Sequence, residues 1–347
     1  MNSANTHIHL PPNFSAFESV EQAVALACDE EVGILGASNY YDFTVYSEFG
    51  TLCHQHSITP LFGMEIVLGL PELADRGVRV NDPGNPGKMY LCGKALSRWK
   101  TPTAEADRLL NTIRHNDSAR MAEMVDRMAE IFAEAGVETR LDARRIVNSI
   151  VLRYGCAQET VYLQERHVAQ AFQEALFQMV RQGERVQALS AILKAPVSAD
   201  DEARTQAQIR NRLMKAGKPA FVEETFIGLE DGLRLISELG GIPCYPVLAD
   251  GADVACEYEA DVNALIEKLL ALGIRHAEFI PNRNSPETLR AYVLPMRDAG
   301  LSVSAGTEHN TLDLLPMTPT CMDGEPIPDD VQAVFAQGAR DLVEAQQ

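Results

Sequence analysis

Along the first hundred residues, short apolar runs alternate with stretches whose apolar residues recur every three to four positions. Phe17 to Cys28 (FESVEQAVALAC) has helical spacing, and Glu31 to Ala37 (EVGILGA) follows as a strand. Phe43 to His54 reads as helical again, Ile58 to Leu68 (ITPLFGMEIVL) as one buried strand, and Met89 to Cys92 as a further short strand. This rhythm predicts βαβ units and a parallel sheet or barrel with helices outside. From Thr101 to about Ala220 it stops. Ala104–Ile113, Ala119–Ala135, Asp142–Tyr154, Gln164–Arg181 and Asp201–Ala216 all carry 3.6-residue periodicity, with Pro102 and Pro219 near the ends. The stretch 101–220 is therefore expected to be an all-helical insertion. The alternation then resumes: helix Leu229–Leu239, strand Ile242–Leu248, helix Val262–Leu272, strand His276–Ile280, helix Pro286–Ala299, strand Leu301–Ala305 and a last helix Asp329–Glu344. Gly240-Gly241, Gly273 and Gly300 stop three of these helices, the first pair suiting a left-handed cap. The expected organisation is a discontinuous α/β domain, 1–100 and 221–347, carrying the insertion.

Charge narrows the function classes. The 347 residues hold 49 acidic and 30 basic side chains, a formal net charge of −19, a field that disfavours general binding to nucleic acid or anionic membrane. No run reaches 18 uninterrupted apolar residues, and the start (MNSANTH) lacks the basic and apolar regions of a secretory signal. A soluble, cytoplasmic protein acting on a small molecule is the expectation. Seven scattered cysteines without a C-x-x-C spacing argue against a disulfide framework or a zinc ribbon.

Candidate chemistry gathers near the expected strand ends, where α/β barrels place their sites. In an extended Thr6–Leu10 segment, His7 and His9 are two positions apart and point to one face, so both imidazoles can reach one ion. Glu65 lies in the apolar strand 58–68, where a carboxylate must be metal-bound, ion-paired or neutralised. Glu308 and His309 follow the last strand. Two His and two Glu would make a mixed N/O site suited to one divalent Zn, Mn or Fe. His54 and His56 form a second H-x-H, but at a helix end their side chains diverge, so they are expected to be structural.

These pieces, in order, resemble the PHP superfamily, named for polymerase and histidinol phosphatase. The resemblance runs through nearly the whole chain. His7-Ile8-His9 resembles its opening H-x-H, Ile34 to Tyr40 (ILGASNY) its second motif, Gly63-Met64-Glu65 its G-x-E strand, Gly240 to Pro246 (GGIPCYP) its Gly-Gly-Ile-Pro segment, and Leu301 to Asn310 (LSVSAGTEHN) its closing motif. Arg166 to Ala171 (RHVAQA) and Gly217 to Val222 (GKPAFV) resemble the helical insert of some members, which makes His167 a helix residue rather than a ligand. The resemblance implies a distorted (β/α)₇ barrel with an inserted helical domain and metal-dependent phosphoesterase chemistry.

The departures are patterned. Asn39 and Tyr40 stand where the family has Asp and His, Met89 or Tyr90 where it has His, Tyr245 where it has the His of Ala-His-Pro, and Glu308 and Asn310 where it has Asp and His. His7, His9, Glu65 and Glu308 survive, and in the family's layout they resemble the ligands of one of its three metal sites. The expectation is a metal-dependent hydrolase with a reduced, mononuclear site acting on a small phosphorylated or acidic molecule. His309, Tyr40 and Tyr245 are the candidate catalytic groups, with Arg283, Asn39 and Asn310 as candidate substrate contacts. Two alternatives stay open: a metal-dependent lyase or isomerase of hydroxy or sugar acids, and a pseudoenzyme that binds a ligand without turnover.

Overall fold

The structure, a computed structural model, describes residues 3–197 and 201–347. It divides into two compact units: one comprises the chain up to Pro11 with Ser15–Ile113 and Phe226–Gln347, the other Pro12–Phe14 with Arg114–Thr225.

In the first unit, β1 (Ser3–Ile8) leads to α1 (Val20–Asp29), β2 (Val32–Ala37), α2 (Tyr46–Gln55), β3 (Thr59–Phe62), β4 (Met64–Gly69), α3 (Pro71–Asp75) and β5 (Lys88–Lys94). Local chemistry starts these elements where the pattern places them: the Ser19 side chain caps α1 by accepting from Gln22 N at 3.2 Å. The run 58–68 is not one strand. It breaks at Gly63, whose backbone N–H bonds Ala37 O at 2.8 Å; a Cβ there would stand 2.8 Å from Ser38 Oγ and 2.9 Å from Gly93 O. The break lets the two halves serve different sheets. β3 pairs parallel with β2, which pairs parallel with β1, whereas β4 pairs antiparallel with β5.

α4 (Ala104–Glu134) is a single 31-residue helix where the periodicity suggests two, because residues 114–118 (RHNDS), though polar, contain neither Gly nor Pro to stop it. Its part beyond Ile113 belongs to the second unit, with α5 (Ala143–Tyr154), α6 (Glu165–Met179), α7 (Arg185–Leu193) and α8 (Glu202–Ile209). α8 passes into a π-turn over Arg210–Met214 instead of continuing to Ala216, and α7 has no counterpart in the sequence reading. This unit has its own core, with Phe132 and Phe172 at 4.8 Å between Met128, Leu176 and Ile192. His167 is buried in α6, where its Nδ1 accepts from Gln164 N at 3.1 Å.

The first unit resumes with the two-residue β6 (Ile227–Gly228), α9 (Leu229–Glu238), β7 (Ile242–Val247), α10 (Val262–Ala271), β8 (His276–Phe279), α11 (Pro286–Asp298), β9 (Ser302–Ala305) and α12 (Asp329–Gln346). Gly240, Gly273 and Gly300 adopt φ of +68°, +73° and +83° at the expected helix stops. Six strands form one sheet in the order β6-β4-β5-β7-β8-β9. It is not wholly parallel: β5 runs antiparallel to both β4 and β7. The three-stranded and six-stranded sheets are bridged at two isolated points, Ile8 to Glu308 and Tyr40 to Glu65. The unit is mixed α/β. No helix among the described residues is long and apolar enough to cross a membrane.

Candidate metal centre

The two bridges between the sheets carry the chemistry. Ile8 lies between His7 and His9, and Glu65 lies on β4 opposite Tyr40. The approach of β1 to its neighbours depends on glycine. A Cβ on Gly36 would lie 2.4 Å from Thr6 O, and one on Gly306 would lie 2.3 Å from His7 Cβ. Beyond β9 the chain wraps onto β1: Glu308 N donates to His7 O, and His9 N donates to Glu308 O, each at 2.8 Å. Glu308 and His309 hold φ of +58° and +51° to make this turn, a conformation unfavourable for residues with a Cβ and retained where surrounding structure enforces it.

His7, His9 and Glu65 converge, all buried. His7 Nε2 and His9 Nε2 lie 3.3 Å apart, and Glu65 Oε2 is 3.2 Å from His9 Nε2 and 3.6 Å from His7 Nε2. Donors bound to one tetrahedral Zn at about 2.1 Å stand roughly 3.4 Å apart, so the three atoms have the spacing of ligands around one ion. Among the described residues, His9 Nδ1 and Glu65 Oε2 find no hydrogen-bond partner. An orphaned carboxylate oxygen aimed at two imidazole nitrogens fits a divalent cation.

Glu308, the expected fourth ligand, is held elsewhere. Arg283 Nη1 and Nη2 donate to its Oε1 and Oε2 at 2.9 and 2.5 Å, and Asn310 Nδ2 donates to Oε2 at 2.6 Å. The structure thus brings three of the four sequence-predicted ligands together and places Arg283 and Asn310 on the fourth.

The other expected residues divide. Tyr40 stacks on His9, with ring centroids 5.2 Å apart at 11°. Burial, then the neighbouring Glu65 carboxylate with which it hydrogen-bonds, pushes its phenol well above the ordinary value, so at neutral pH it stays protonated. Three of the expected residues have their side chains engaged within the fold. Tyr245 pairs in register with Ala277, one residue from Glu278 and so on the opposite face of the sheet, where its hydroxyl donates to Glu259 Oε1 at 2.9 Å. Asn39 spends its amide on Leu10, accepting from Leu10 N at 2.8 Å and donating to Leu10 O at 2.9 Å. His309 has both ring nitrogens engaged, with Thr307 Oγ1 at 2.7 Å and Leu315 O at 2.9 Å, and stacks on Phe17. Partners within the fold occupy these last two side chains, so neither presents a free group to a substrate.

Two residues absent from the sequence reading stand behind His7. Glu278 Oε1 lies 2.6 Å from His7 Nδ1. Its Oε2 is 2.7 Å from Lys94 Nζ and accepts from Thr6 Oγ1 at 2.9 Å. Strand register puts Glu65, Cys92, Lys94, Cys244, His276 and Glu278 on one face. His7, Cys92 and Glu278 form a second grouping with metal-ligand atoms, but the 2.6 Å His7–Glu278 separation is a hydrogen bond that leaves no room for an ion between them, and Lys94 already supplies the cation. The only local signal for Lys94 and Glu278 is a charge at an apolar strand position, as in LCGKAL and HAEFI.

The electrostatics follow from burial opposed by pairing. Burial and Lys94 oppose a proton on His7, yet Glu278 and Glu65 outweigh them and raise its pKa to about 9. His9 is lowered, burial outweighing the help of Glu65. Burial would raise Glu278, but Lys94 and then His7 bring it down to about 2. Glu308 is likewise lowered, burial being overcome by Arg283. With His7 protonated, three cations (His7, Lys94, Arg283) balance three carboxylates (Glu65, Glu278, Glu308).

No protein-family model matches the sequence, and the search of curated proteins gives no match. Solved structures do match in shape. A proposed metal-dependent phosphoesterase from Bifidobacterium adolescentis is similar, with a TM-score of 0.64 at 13% identity, covering 97% of this chain and 96% of that one. An amidohydrolase from Chromobacterium violaceum, solved with bound sulfate and no metal, gives a TM-score of 0.58 at 16% identity, covering 96% of both chains. The chain shares the fold of these two proteins over nearly its whole length.

Proposed function

We propose that this protein is a metal-dependent hydrolase of PHP type, with a single-ion site on a distorted (β/α)₇ barrel and a small phosphorylated or acidic substrate. The observation that carries the reading is the convergence of His7 Nε2, His9 Nε2 and Glu65 Oε2 within 3.2–3.6 Å, all on buried residues. The two isolated bridges, joining β1 to the chain after β9 and β4 to the chain after β2, support the barrel. The two solved structures named above support the reaction class by likeness of fold.

A divalent ion held by His7, His9 and Glu65 would polarise a substrate oxygen and acidify water. A divalent ion in place of the His7 proton leaves the balanced cluster one positive charge in excess, which favours an anionic substrate. Arg283, whose fork already grips one carboxylate, can grip a phosphate or a substrate carboxylate in the same bidentate way. Tyr40, protonated and beside Glu65, can give a proton to a leaving group. Glu308 can complete the ion's ligands when Arg283 turns to the substrate.

The test is metal content by elemental mass spectrometry, before chelation and after chelation and reloading. About one Zn, Mn or Fe per chain is expected in the wild type and close to none in His7→Ala/His9→Ala. Unchanged stoichiometry in that variant overturns the site. A second reading has one observation in its favour: the Arg283–Glu308 pair neutralises the would-be fourth ligand without an ion, as in a ligand-binding protein without turnover. A wild type that takes up no metal on reloading makes that reading the better one.

A further inference from the structure

We infer that Glu278, held in place by Lys94, is a positioning residue that dictates which nitrogen of His7 faces the ion. The inference rests on the single-ion reading above. An imidazole offers a metal one nitrogen, and the partner of the other nitrogen sets the tautomer and the ring orientation. At His7 that partner is Glu278, with Oε1 at 2.6 Å from Nδ1. A carboxylate can only accept, so Nδ1 keeps its hydrogen and Nε2, the nitrogen that would give up its proton to an ion, is turned toward His9 Nε2 and Glu65 Oε2.

Glu278 is itself immobilised. Its Oε2 takes Lys94 at 2.7 Å and Thr6 Oγ1 at 2.9 Å. Lys94 has three protons and three partners: Glu278, Thr6 O at 2.9 Å and Ser38 Oγ at 3.0 Å. The ammonium is fully committed and buried, so it touches no substrate; its work is to keep a buried carboxylate charged and aimed. The set ties together β1, the residue after β2, β5 and β8, and it is closed without an ion. His9 differs. Among the described residues its Nδ1 has no hydrogen-bond partner, and its ring is steered by stacking on Tyr40. The two imidazoles are therefore unequal ligands: His7 is locked by a charged pair and His9 is steered by an aromatic face.

The experiment is a Co(II) titration of the chelated full-length protein, read by visible absorption, for the wild type, Glu278→Gln, Lys94→Met and the double variant. Glu278→Gln is expected to weaken Co(II) binding about ten- to hundredfold and to shift the absorption bands, which report ligand geometry and not folding. The double variant is expected to bind no more weakly than Glu278→Gln alone, since both substitutions break one device. A measurement on the wild type avoids any variant that fails to fold: with ¹⁵N-labelled histidine and ¹¹³Cd, cadmium should couple to Nε2 of His7, with Nδ1 still protonated. Cadmium coupled to Nδ1 of His7, or a Glu278→Gln protein with wild-type affinity and spectrum, overturns the inference and leaves the metal site standing. A wild type that binds neither Co(II) nor Cd(II) overturns the single-ion reading and the inference with it.

Discussion

Glu259 accepts hydrogen bonds from Tyr245 Oη at 2.9 Å, Leu248 N at 3.1 Å and Ala249 N at 3.0 Å while fully buried. Burial outweighs these donors and pushes its pKa up to about 7. The folded protein then keeps a proton that the unfolded chain releases above the ordinary carboxylate range, so stability falls as pH rises from about 5 toward 7, by at most about 1.4 kcal/mol per pH unit. Glu259→Gln removes that slope. It also sets an amide N–H₂ against backbone donors, at a cost of about 1–3 kcal/mol. Urea unfolding at pH 5.5 and 7.5 should therefore show a deficit of the variant that shrinks at the higher pH; a deficit equal at both values would place the titration elsewhere. The phenol of Tyr245, expected from sequence at the catalytic site, belongs to this arrangement.

Among the elements, β1 is held by close backbone approaches and not by side-chain packing alone. Gly306 lies against His7, where even one added methyl would stand 2.3 Å from Cβ, and the backbone on both sides is committed by Thr307 N and Glu308 N, which bond His7 O at 3.1 and 2.8 Å. Gly306→Ala must displace either the β1 imidazole or the turn at Glu308. A loss of about 1–3 kcal/mol, as for overpacking of a tight core, is expected together with weaker metal binding. Gly183→Ala, whose new methyl meets nothing within 4 Å, should change neither property measurably. Thermal melting and metal content of the two variants make the comparison; equal behaviour would mean that β1 adapts freely.

For the whole molecule, the proposed ligands come from both sheets: His7 from β1 of the three-stranded sheet, Glu65 from β4 of the six-stranded one. An ion joining them would cross-link the two sheets of the first unit and bind the folded state alone. Metal at a hundred times its Kd should then stabilise the protein by about 2.7 kcal/mol. The expected result is a melting temperature that falls on chelation and recovers on reloading in the wild type, with no response in His7→Ala/His9→Ala. The helices of the second unit carry their own core around Phe132 and Phe172.

Periodicity alone was enough to predict most helices and strands, because each amphipathic face repeats within a few residues and glycines mark the stops at Gly240, Gly273 and Gly300. It could not divide the run 58–68 at Gly63, since both halves are equally apolar and only the neighbouring strands decide where each pairs. His7, His9 and Glu65 were legible as charge-bearing or metal-binding groups in extended, apolar surroundings. That Glu308 is gripped by Arg283, that Asn39 and His309 are consumed by backbone and hydroxyl partners, and that Tyr245 faces away from Glu278 were not. Each depends on a partner brought in by the fold: 25 residues separate Arg283 from Glu308 and 271 separate His7 from Glu278. Local sequence sets the kind of donor at a position and the face it shares with its neighbours. Only the closing of distant strands sets which lone pairs remain unused, and unused lone pairs are what bind an ion.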